Sequence, residues 1–387
     1  MNKICKLLIF LFFMLKPFYL WKSGLPQIAD MIFFIFILLS PWGNLKSQIV
    51  KQKKLIYFMA YTTAINLFYI IKYPNNFEEF LYSAVFIIFL GLGYLKIDEG
   101  IKRDRGIIPT IYWGTVSTIV LQFLILIFRR VKISDGREAL FFNNPNQLGY
   151  FILLGTAIFA ILNIKNRYYI KNKFISILIP VLSLILIVKS QSRAAIGGEL
   201  FLLVIYFIKI KLLSRKNVMR IGIFISILFI LNHVGNINPK YNLVNIIQSR
   251  IENASTKKDN GIAGRGYDRI YIYPEYLFMG SGEGGFFRYD DPRIFHKTEI
   301  HSLYGTILFS YGFIGLFFFC SLFHKVFLFR NIQYLVYFIP IFIYNLTHNG
   351  IRSQLFWILI CVINHNIQKG ERRYVSRNKC SNVSVQR

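Results

Sequence analysis

Two short arginine-containing segments have the composition of an anion-binding site. The first is the turn over residues 189–195, where Ser192 can cap the following helix and Arg193 falls in its first turn. A helix start offers unpaired N–H groups and the positive end of the helix dipole, and an arginine adds charge-assisted hydrogen bonds. This turn therefore predicts a phosphate-binding position. The alternative is an arginine that extends into the polar layer beside an apolar helix or pairs with Glu199.

The second segment, residues 264–273, alternates arginine with tyrosine. If it is helical, Arg265 and Arg269 share one face, and Tyr267 and Tyr271 share another. Arginines beside tyrosines suit a ligand with both phosphate and sugar parts, because flat rings pack on sugar faces. An amphipathic helix that lies on a lipid surface with its tyrosines at headgroup level is the alternative, and the residues alone leave both open.

A histidine supplies the candidate proton acceptor. His301 opens a predicted helix, and imidazole is the side chain best suited to take a proton near neutral pH, although a histidine at a helix end often has no function. His296 suggests a metal site, but no cysteine joins the two histidines and their spacing fits no usual zinc pattern. The pair Asp290-Asp291 lacks a third acidic ligand. We predict no metal and no cofactor.

A glycine-rich segment, residues 280–285, fits the letters GxGxxG. Dinucleotide sites place that pattern between a strand and a helix, and no βαβ unit precedes it here. We therefore reject dinucleotide binding. A turn that lets the backbone approach a ligand closely remains open.

The elements that must position these residues are apolar helices. The chain has 387 residues, of which 55% are hydrophobic. Its apolar stretches of about 16–22 residues are long enough for a helix to cross a hydrocarbon layer of about 30 Å. We predict an all-α fold with about twelve membrane-spanning helices, in one integral membrane domain over residues 1–387. The predicted helices span residues 4–21, 25–43, 55–73, 79–97, 107–128, 147–164, 174–189, 193–210, 218–235, 301–323, 333–347 and 351–367.

The charge distribution predicts the orientation of these helices. The net charge of +28 could indicate nucleic acid binding, but the lysines and arginines concentrate in alternate loops and in the tail after Lys369, which is the positive-inside pattern. We predict cytoplasmic termini, contact of some cations with anionic lipid, and no nucleic acid partner. The large loop over residues 236–300, between the ninth and tenth predicted helices, has nine basic and eight acidic residues and lies on the outer side.

Taken in order, these segments resemble the O-antigen ligase and O-antigen polymerase superfamily of bacterial membrane proteins. The resemblance is best over residues 140–320, and the rest of the chain agrees only in its hydrophobic architecture. The segments that carry it are residues 144–149 (NPNQLG), Ser192 to Ala195, Gly264-Arg265, Pro274 to Phe286, and His301 followed by residues 311–315 (YGFIG).

The resemblance implies glycan transfer from an undecaprenyl-pyrophosphate carrier in the periplasm, without a metal or nucleotide sugar. It implies an all-helical fold related to the GT-C, lipid-carrier-dependent glycosyltransferases. Arg193 and Arg265 stand where that family binds pyrophosphate, and His301 stands where it has its functional histidine. The family often has an aromatic residue, commonly tryptophan, a few positions after the loop arginine, whereas this chain has Tyr267 and Asp268.

These implications set the expected site and function. His301 is the catalytic candidate, Arg269 and Arg288 join the two pyrophosphate-binding arginines, and Tyr267 and Tyr271 are the sugar-binding candidates. The expected activity is that of an O-antigen or capsular repeat-unit polymerase in the bacterial inner membrane. The alternatives are a ligase that transfers glycan to lipid A–core and a flippase or other transporter. The expected partners are the lipid-linked oligosaccharide and membrane lipid, with a flippase and a chain-length regulator as candidates.

Overall fold

The computed structural model describes residues 3–21, 26–41, 43, 45–128, 137–166, 168–210, 263–294, 299–328 and 331–384. These residues form helices, short 3₁₀ turns and connecting loops, and none of them lies in a strand. The predicted all-α fold is confirmed for this part of the chain. The predicted helix 218–235 and residues 236–262 of the predicted large loop lie outside the described residues.

Fifteen helices run through the described residues. In chain order they are α1 (Lys3–Leu15), α2 (Ile28–Leu39), α3 (Leu45–Lys51), α4 (Lys53–Lys72), α5 (Phe77–Arg103), α6 (Ile107–Phe128), α7 (Pro145–Lys165), α8 (Tyr168–Lys171), α9 (Lys173–Ser190), α10 (Arg193–Lys209), α11 (Asp268–Ile272), α12 (Leu303–Ser321), α13 (His324–Phe327), α14 (Ile332–Asn345) and α15 (Gln354–Ser384). Short 3₁₀ turns cover Pro74–Asn76, Ala263–Arg265, Pro274–Leu277 and Phe286–Arg288.

Several helix ends are fixed by local chemistry. Asn144 accepts a hydrogen bond from the Gln147 N–H at 2.9 Å, and Pro145 occupies the first position of α7, where its missing N–H costs nothing. Ser302 caps α12 in the same way, through the Gly305 N–H at 3.2 Å. The first helix ends at Leu15, earlier than the predicted residue 21, because Pro17 cannot continue it.

Six of the described helices are long and apolar enough to cross a membrane. Their outer surfaces carry large apolar side chains that water would disfavour, such as Phe128, which is 78% exposed, and Ile71, which is 80% exposed. The chain is therefore a helical membrane protein, and the prediction of about twelve spans stays a prediction. The six helices are Lys53–Lys72, Pro74–Arg103 (counted with its preceding 3₁₀ turn), Ile107–Phe128, Pro145–Lys165, Lys173–Ser190 and Leu303–Ser321.

Connecting segments from distant parts of the sequence meet at one end of the bundle. The Glu138 N–H donates to the Lys189 carbonyl at 3.0 Å, and the Leu303 N–H donates to the His348 carbonyl at 3.2 Å. We call this end the loop face; it is formed by residues 73–76, 137–144, 191–192, 263–294, 299–302 and 346–353. The opposite face carries the Lys6–Asp104 ion pair at 2.9 Å.

The glycine-rich segment packs into a break in α12. Gly312 adopts a left-handed conformation inside that helix, with φ of 65° and ψ of −173°. The carbonyls of Phe309 and Ser310 accept hydrogen bonds from the N–H groups of Ser281 and Gly282, at 3.0 and 2.9 Å. A Cβ atom at Gly312 would collide with the Phe278 carbonyl. These glycines therefore allow the loop backbone to approach a helix closely.

Candidate functional site

Arg265 and His301 are neighbours on the loop face. The His301 N–H donates to the Arg265 carbonyl at 2.9 Å, so the end of the 3₁₀ turn is held against the residues that precede α12. The Arg265 side chain is half-buried, and its Nη1 donates to the Thr347 carbonyl at 3.1 Å. Its Nε is buried without a hydrogen-bond partner among the described residues. A guanidinium held in this way has donor capacity left for an anionic ligand.

The two tyrosines of the predicted sugar-binding pair have different surroundings. The Tyr267 hydroxyl lies 2.5 Å from the Ser302 hydroxyl and donates to the Leu346 carbonyl at 2.9 Å. It therefore ties the loop to the start of α12 and the end of α14. Tyr271 is 74% exposed on α11. The sugar-binding role of both stays a prediction.

A second histidine, His348, lies beside Arg265 and His301. Its ring stacks on Tyr344 with centroids 4.4 Å apart, and its Nδ1 lies 2.9 Å from the Thr347 hydroxyl. Burial lowers the pKa of His348 to about 4, and the nearby positive charge of Arg265 acts in the same direction. His348 is therefore neutral at pH 7, and its buried Nε2 has no hydrogen-bond partner among the described residues.

The low pKa of His348 predicts a pH-dependent stability. Because the folded-state pKa of about 4 lies below the ordinary value of 6.5, the unfolded chain binds the proton first on acidification. The contribution of His348 to the free energy of unfolding is therefore fully present above pH 6.5 and is lost as the pH falls towards 4. We expect the thermal midpoint of purified protein to fall more between pH 7 and pH 4.5 than that of His348→Gln. Equal falls in both proteins would contradict this pKa.

Arg137 connects this cluster to the turn that carries Arg193. Its Nη2 donates to the Asn146 side-chain oxygen at 2.8 Å, and its Nε donates to the Ser190 carbonyl at 3.3 Å. Arg137 also lies close enough to His348 to depress its pKa. We call Arg137, Arg265, His301 and His348 the arginine–histidine cluster.

Arg193 is the first residue of α10 and follows Ser190, whose carbonyl accepts from Arg137, by three positions. Gln191 turns the chain with a left-handed φ of 52°. Ser192 occupies the cap position, but its side chain does not make the predicted capping hydrogen bond. The Arg193 side chain is exposed, whereas Glu199 is fully buried further along α10, so the alternative of a pair between them is not supported. The helix start and the exposed cation fit an anion-binding position, and the pyrophosphate role stays a prediction.

Arg269 and Arg288 lie within the loop itself. Both guanidiniums lie over the ring of Tyr289, each 5.1 Å from its centroid. Arg269 is 1% exposed, and burial lowers its pKa. Arg288 donates to the carbonyls of Ser281 and Gly285 at 2.7 and 3.0 Å. These contacts favour a structural role over the predicted pyrophosphate binding, which stays a prediction for both residues.

The glycine-rich segment supplies a buried carboxylate that sequence reasoning did not single out. Glu283 accepts from Arg352 Nη2 at 2.7 Å through one oxygen and from the Tyr311 hydroxyl at 2.7 Å through the other. Its N–H donates to the Asn66 side chain at 2.9 Å. Arg352 also contacts Glu299 at 3.3 Å, and the two carboxylates raise the pKa of Arg352. This network joins the loop to α4, α12 and the turn before α15.

Removing the Glu283 carboxylate is expected to destabilise the fold. Glu283→Ala leaves Arg352 with only the longer contact to Glu299, and the loss of one partner of a buried ion pair costs about 3 kcal/mol. A thermal midpoint several degrees lower in detergent should report this loss. Glu275→Ala, which removes an exposed carboxylate from the same loop, is the matched control and should leave the midpoint unchanged. A normal midpoint for Glu283→Ala would rule out the network.

A cavity of about 440 Å³ opens beside the cluster on the loop face. It lies between the loop before α7, the first residues of α7 and the turn before α15. Its lining combines aromatic rings, side-chain amides and charged groups. The residues are Lys16, Tyr19, Tyr82, Phe142, Asn143, Asn144, Gln147, Tyr150, Phe151, Glu299, Asn349, Gly350, Arg352 and Ser353.

Sequence reasoning missed His348, which the turn between the last two helices, residues 346–353, supplies to the cluster. Arg137 and Arg352 are secondary candidates for the arginine cluster by residue type, and the structure pairs Arg352 with Glu283 instead. The signal was present as the polar run Thr347-His348-Asn349 between two apolar stretches. In the part of the chain that the structure describes, no group of three or more His, Cys, Asp or Glu side chains could hold a metal ion.

Comparison with known protein families and with curated proteins gives no match for this sequence. The functional assignment therefore rests on the residues of the chain and on their arrangement.

Proposed function

We propose that this chain is an inner-membrane glycosyltransferase that takes its glycan from an undecaprenyl-pyrophosphate donor. The observation that carries the proposal is the hydrogen bond that holds His301 against Arg265 on the loop face. This bond joins the backbones of the two residues, and it supports a site that combines a cation suited to pyrophosphate with a side chain suited to accept a proton. His348 and Arg137 add a neutral imidazole and a second guanidinium to the same place.

The proposed reaction is a single displacement at the anomeric carbon of the donor. A sugar hydroxyl of the acceptor attacks that carbon, the bond to the pyrophosphate oxygen breaks, and undecaprenyl pyrophosphate leaves with the electron pair. Arg265 and Arg193 stabilise the negative charge that develops on the leaving group. His301 accepts the hydroxyl proton as the new bond forms.

The acceptor that we propose is a second lipid-linked repeat unit, which makes the protein an O-antigen or capsular polysaccharide polymerase. Ligation to lipid A–core would use the same donor and the same displacement, and the glycan profile described below distinguishes the two reactions. A transporter would be expected to carry its charges in a cavity near the membrane midplane. Arg193, Arg265 and His301 lie instead at helix ends and in the loop, which favours an enzyme site at the surface.

The proposal requires the loop face to be periplasmic. In a variant whose native cysteines are replaced, a cysteine at the exposed position Tyr271 should react with a membrane-impermeant maleimide added to spheroplasts. The matched position is Lys53 on the opposite face, where a cysteine should react only after the membrane is permeabilised. Labelling with the reverse pattern would contradict the proposed orientation.

The glycan profile of a strain that lacks the gene tests the proposed function. A polymerase deletion should leave lipid A–core capped with a single repeat unit. Uncapped core together with retained lipid-linked polymer would identify a ligase instead. An unchanged profile would contradict both reactions.

A further inference from the structure

We propose that the 440 Å³ cavity beside the arginine–histidine cluster binds the sugar residues of the acceptor. This inference rests on the proposed function, because it assigns the cavity to one substrate of that reaction. It separates the site into a cationic part, which binds the anionic pyrophosphate of the donor, and a cavity whose charges are paired, which binds the neutral sugars of the acceptor.

The lining of the cavity has the chemistry that recognises a sugar. Three tyrosines offer ring surface to the C–H groups of a sugar ring. Four side-chain amides both donate and accept hydrogen bonds, as sugar hydroxyls do. The three tyrosines are Tyr19, Tyr82 and Tyr150, and the four amides are Asn143, Asn144, Gln147 and Asn349.

The cations that line the cavity are already neutralised. Lys16 pairs with Asp30 at 2.6 Å, with both side chains buried, and Arg352 pairs with Glu283 and Glu299. A pyrophosphate would have to compete with these carboxylates. The Arg265 side chain, in contrast, donates to a neutral carbonyl. The charges therefore favour a neutral ligand in the cavity and an anionic ligand at Arg265.

The cavity also adjoins the proposed base. Glu299, which lines the cavity, lies two residues before His301, and Asn349 directly follows His348. A sugar bound here therefore lies beside the two segments that carry the imidazoles, although neither imidazole itself lines the cavity. The acceptor is the substrate whose hydroxyl must reach a base, and this placement assigns the cavity to it.

Binding of a free oligosaccharide tests the inference. The probe is the repeat-unit oligosaccharide that mild acid releases from the lipid carrier accumulated in the deletion strain. Its dissociation constant is measured by calorimetry with the full-length protein in nanodiscs. Tyr82→Phe keeps the ring of a half-exposed lining residue and removes its hydroxyl, so the dissociation constant should rise about five-fold. Ser353→Phe fills the cavity and should abolish detectable binding.

Tyr337→Phe is the matched control, because it removes a hydroxyl from a buried tyrosine that does not line the cavity. Its dissociation constant should equal that of the wild type. Arg293→Ala, which removes an exposed cation outside the cluster, should also bind the oligosaccharide normally. Wild-type affinity in both Tyr82→Phe and Ser353→Phe would overturn the inference, as would a wild-type protein that does not bind the probe. A wild-type protein that binds the probe but transfers no glycan would instead refute the proposed function.

Discussion

Arg265→Ala should reduce glycan transfer by about two to three orders of magnitude. In the proposed reaction its guanidinium holds the pyrophosphate as the bond to the sugar breaks. Truncation of one partner of a buried, charge-assisted contact costs about 2–5 kcal/mol, and each 1.4 kcal/mol is a factor of ten. Arg265→Lys should restore little activity, because an ammonium group lacks the planar fork that binds two phosphate oxygens. The readout is the glycan ladder and the rate of the purified enzyme.

Arg293, in the same loop, provides the control for the loss of activity in Arg265→Ala. Arg293 is exposed and pairs with Asp291 at 2.7 Å, so Arg293→Ala removes a cation without disturbing the cluster. It should transfer glycan at the wild-type rate.

Arg193→Ala should lose activity as Arg265→Ala does, while its thermal midpoint stays unchanged because the side chain is exposed. Full complementation by either arginine variant would refute its assignment to the pyrophosphate.

His301→Ala is expected to slow transfer by about 10²–10⁴-fold, the usual contribution of a general base. Displacement of a pyrophosphate needs little help for the leaving group once arginines hold its charge. The incoming hydroxyl is a poor nucleophile and must lose its proton as the bond forms. The donor should bind to His301→Ala as it binds to the wild type, since the imidazole acts on the acceptor. His301→Gln should position the acceptor in part but cannot take the proton.

A comparison of His301→Ala with His348→Gln shows which of the two histidines is the general base. It lies near His301, is neutral at pH 7, and has a pKa of about 4. His348→Gln should therefore keep most of the transfer activity if His301 is the base. Wild-type turnover by His301→Ala, together with a large loss in His348→Gln, would move the base to His348. Glu299 is a weaker alternative, because Arg352 already pairs with it.

Much of the helical architecture could be predicted from sequence, because apolar runs and their flanking caps are local signals. The helix predicted over residues 107–128 is observed as Ile107–Phe128. The helices predicted over residues 174–189 and 193–210 are observed as Lys173–Ser190 and Arg193–Lys209. The last helix extends to Ser384, well beyond the predicted residue 367, because a search for apolar runs does not register a polar extension; residues 368–373 are mostly strong helix formers, and those after them are not.

The arrangement of the site could be predicted only in part. Arg265 and His301 were identified by residue type and resemblance, but the hydrogen bond between their backbones depends on how the loop folds back onto α12. Arg269 and Arg288 have the same residue type as Arg265, and only the structure places them over the ring of Tyr289. Composition reports which charges a loop has, whereas tertiary packing decides which of them remain available to a ligand.

The proposed glycan transfer is tested most directly by an assay with the purified full-length protein in nanodiscs. The substrate is a synthetic undecaprenyl-pyrophosphate-linked repeat unit, and the products are separated by chain length, with and without EDTA. We expect a dimer and longer glycans, release of one undecaprenyl pyrophosphate for each transfer, and the same rate in EDTA. We also expect Arg265→Ala and His301→Ala to lose the product. Absence of any glycan product from the wild-type protein, or loss of its activity in EDTA, would contradict the proposed reaction.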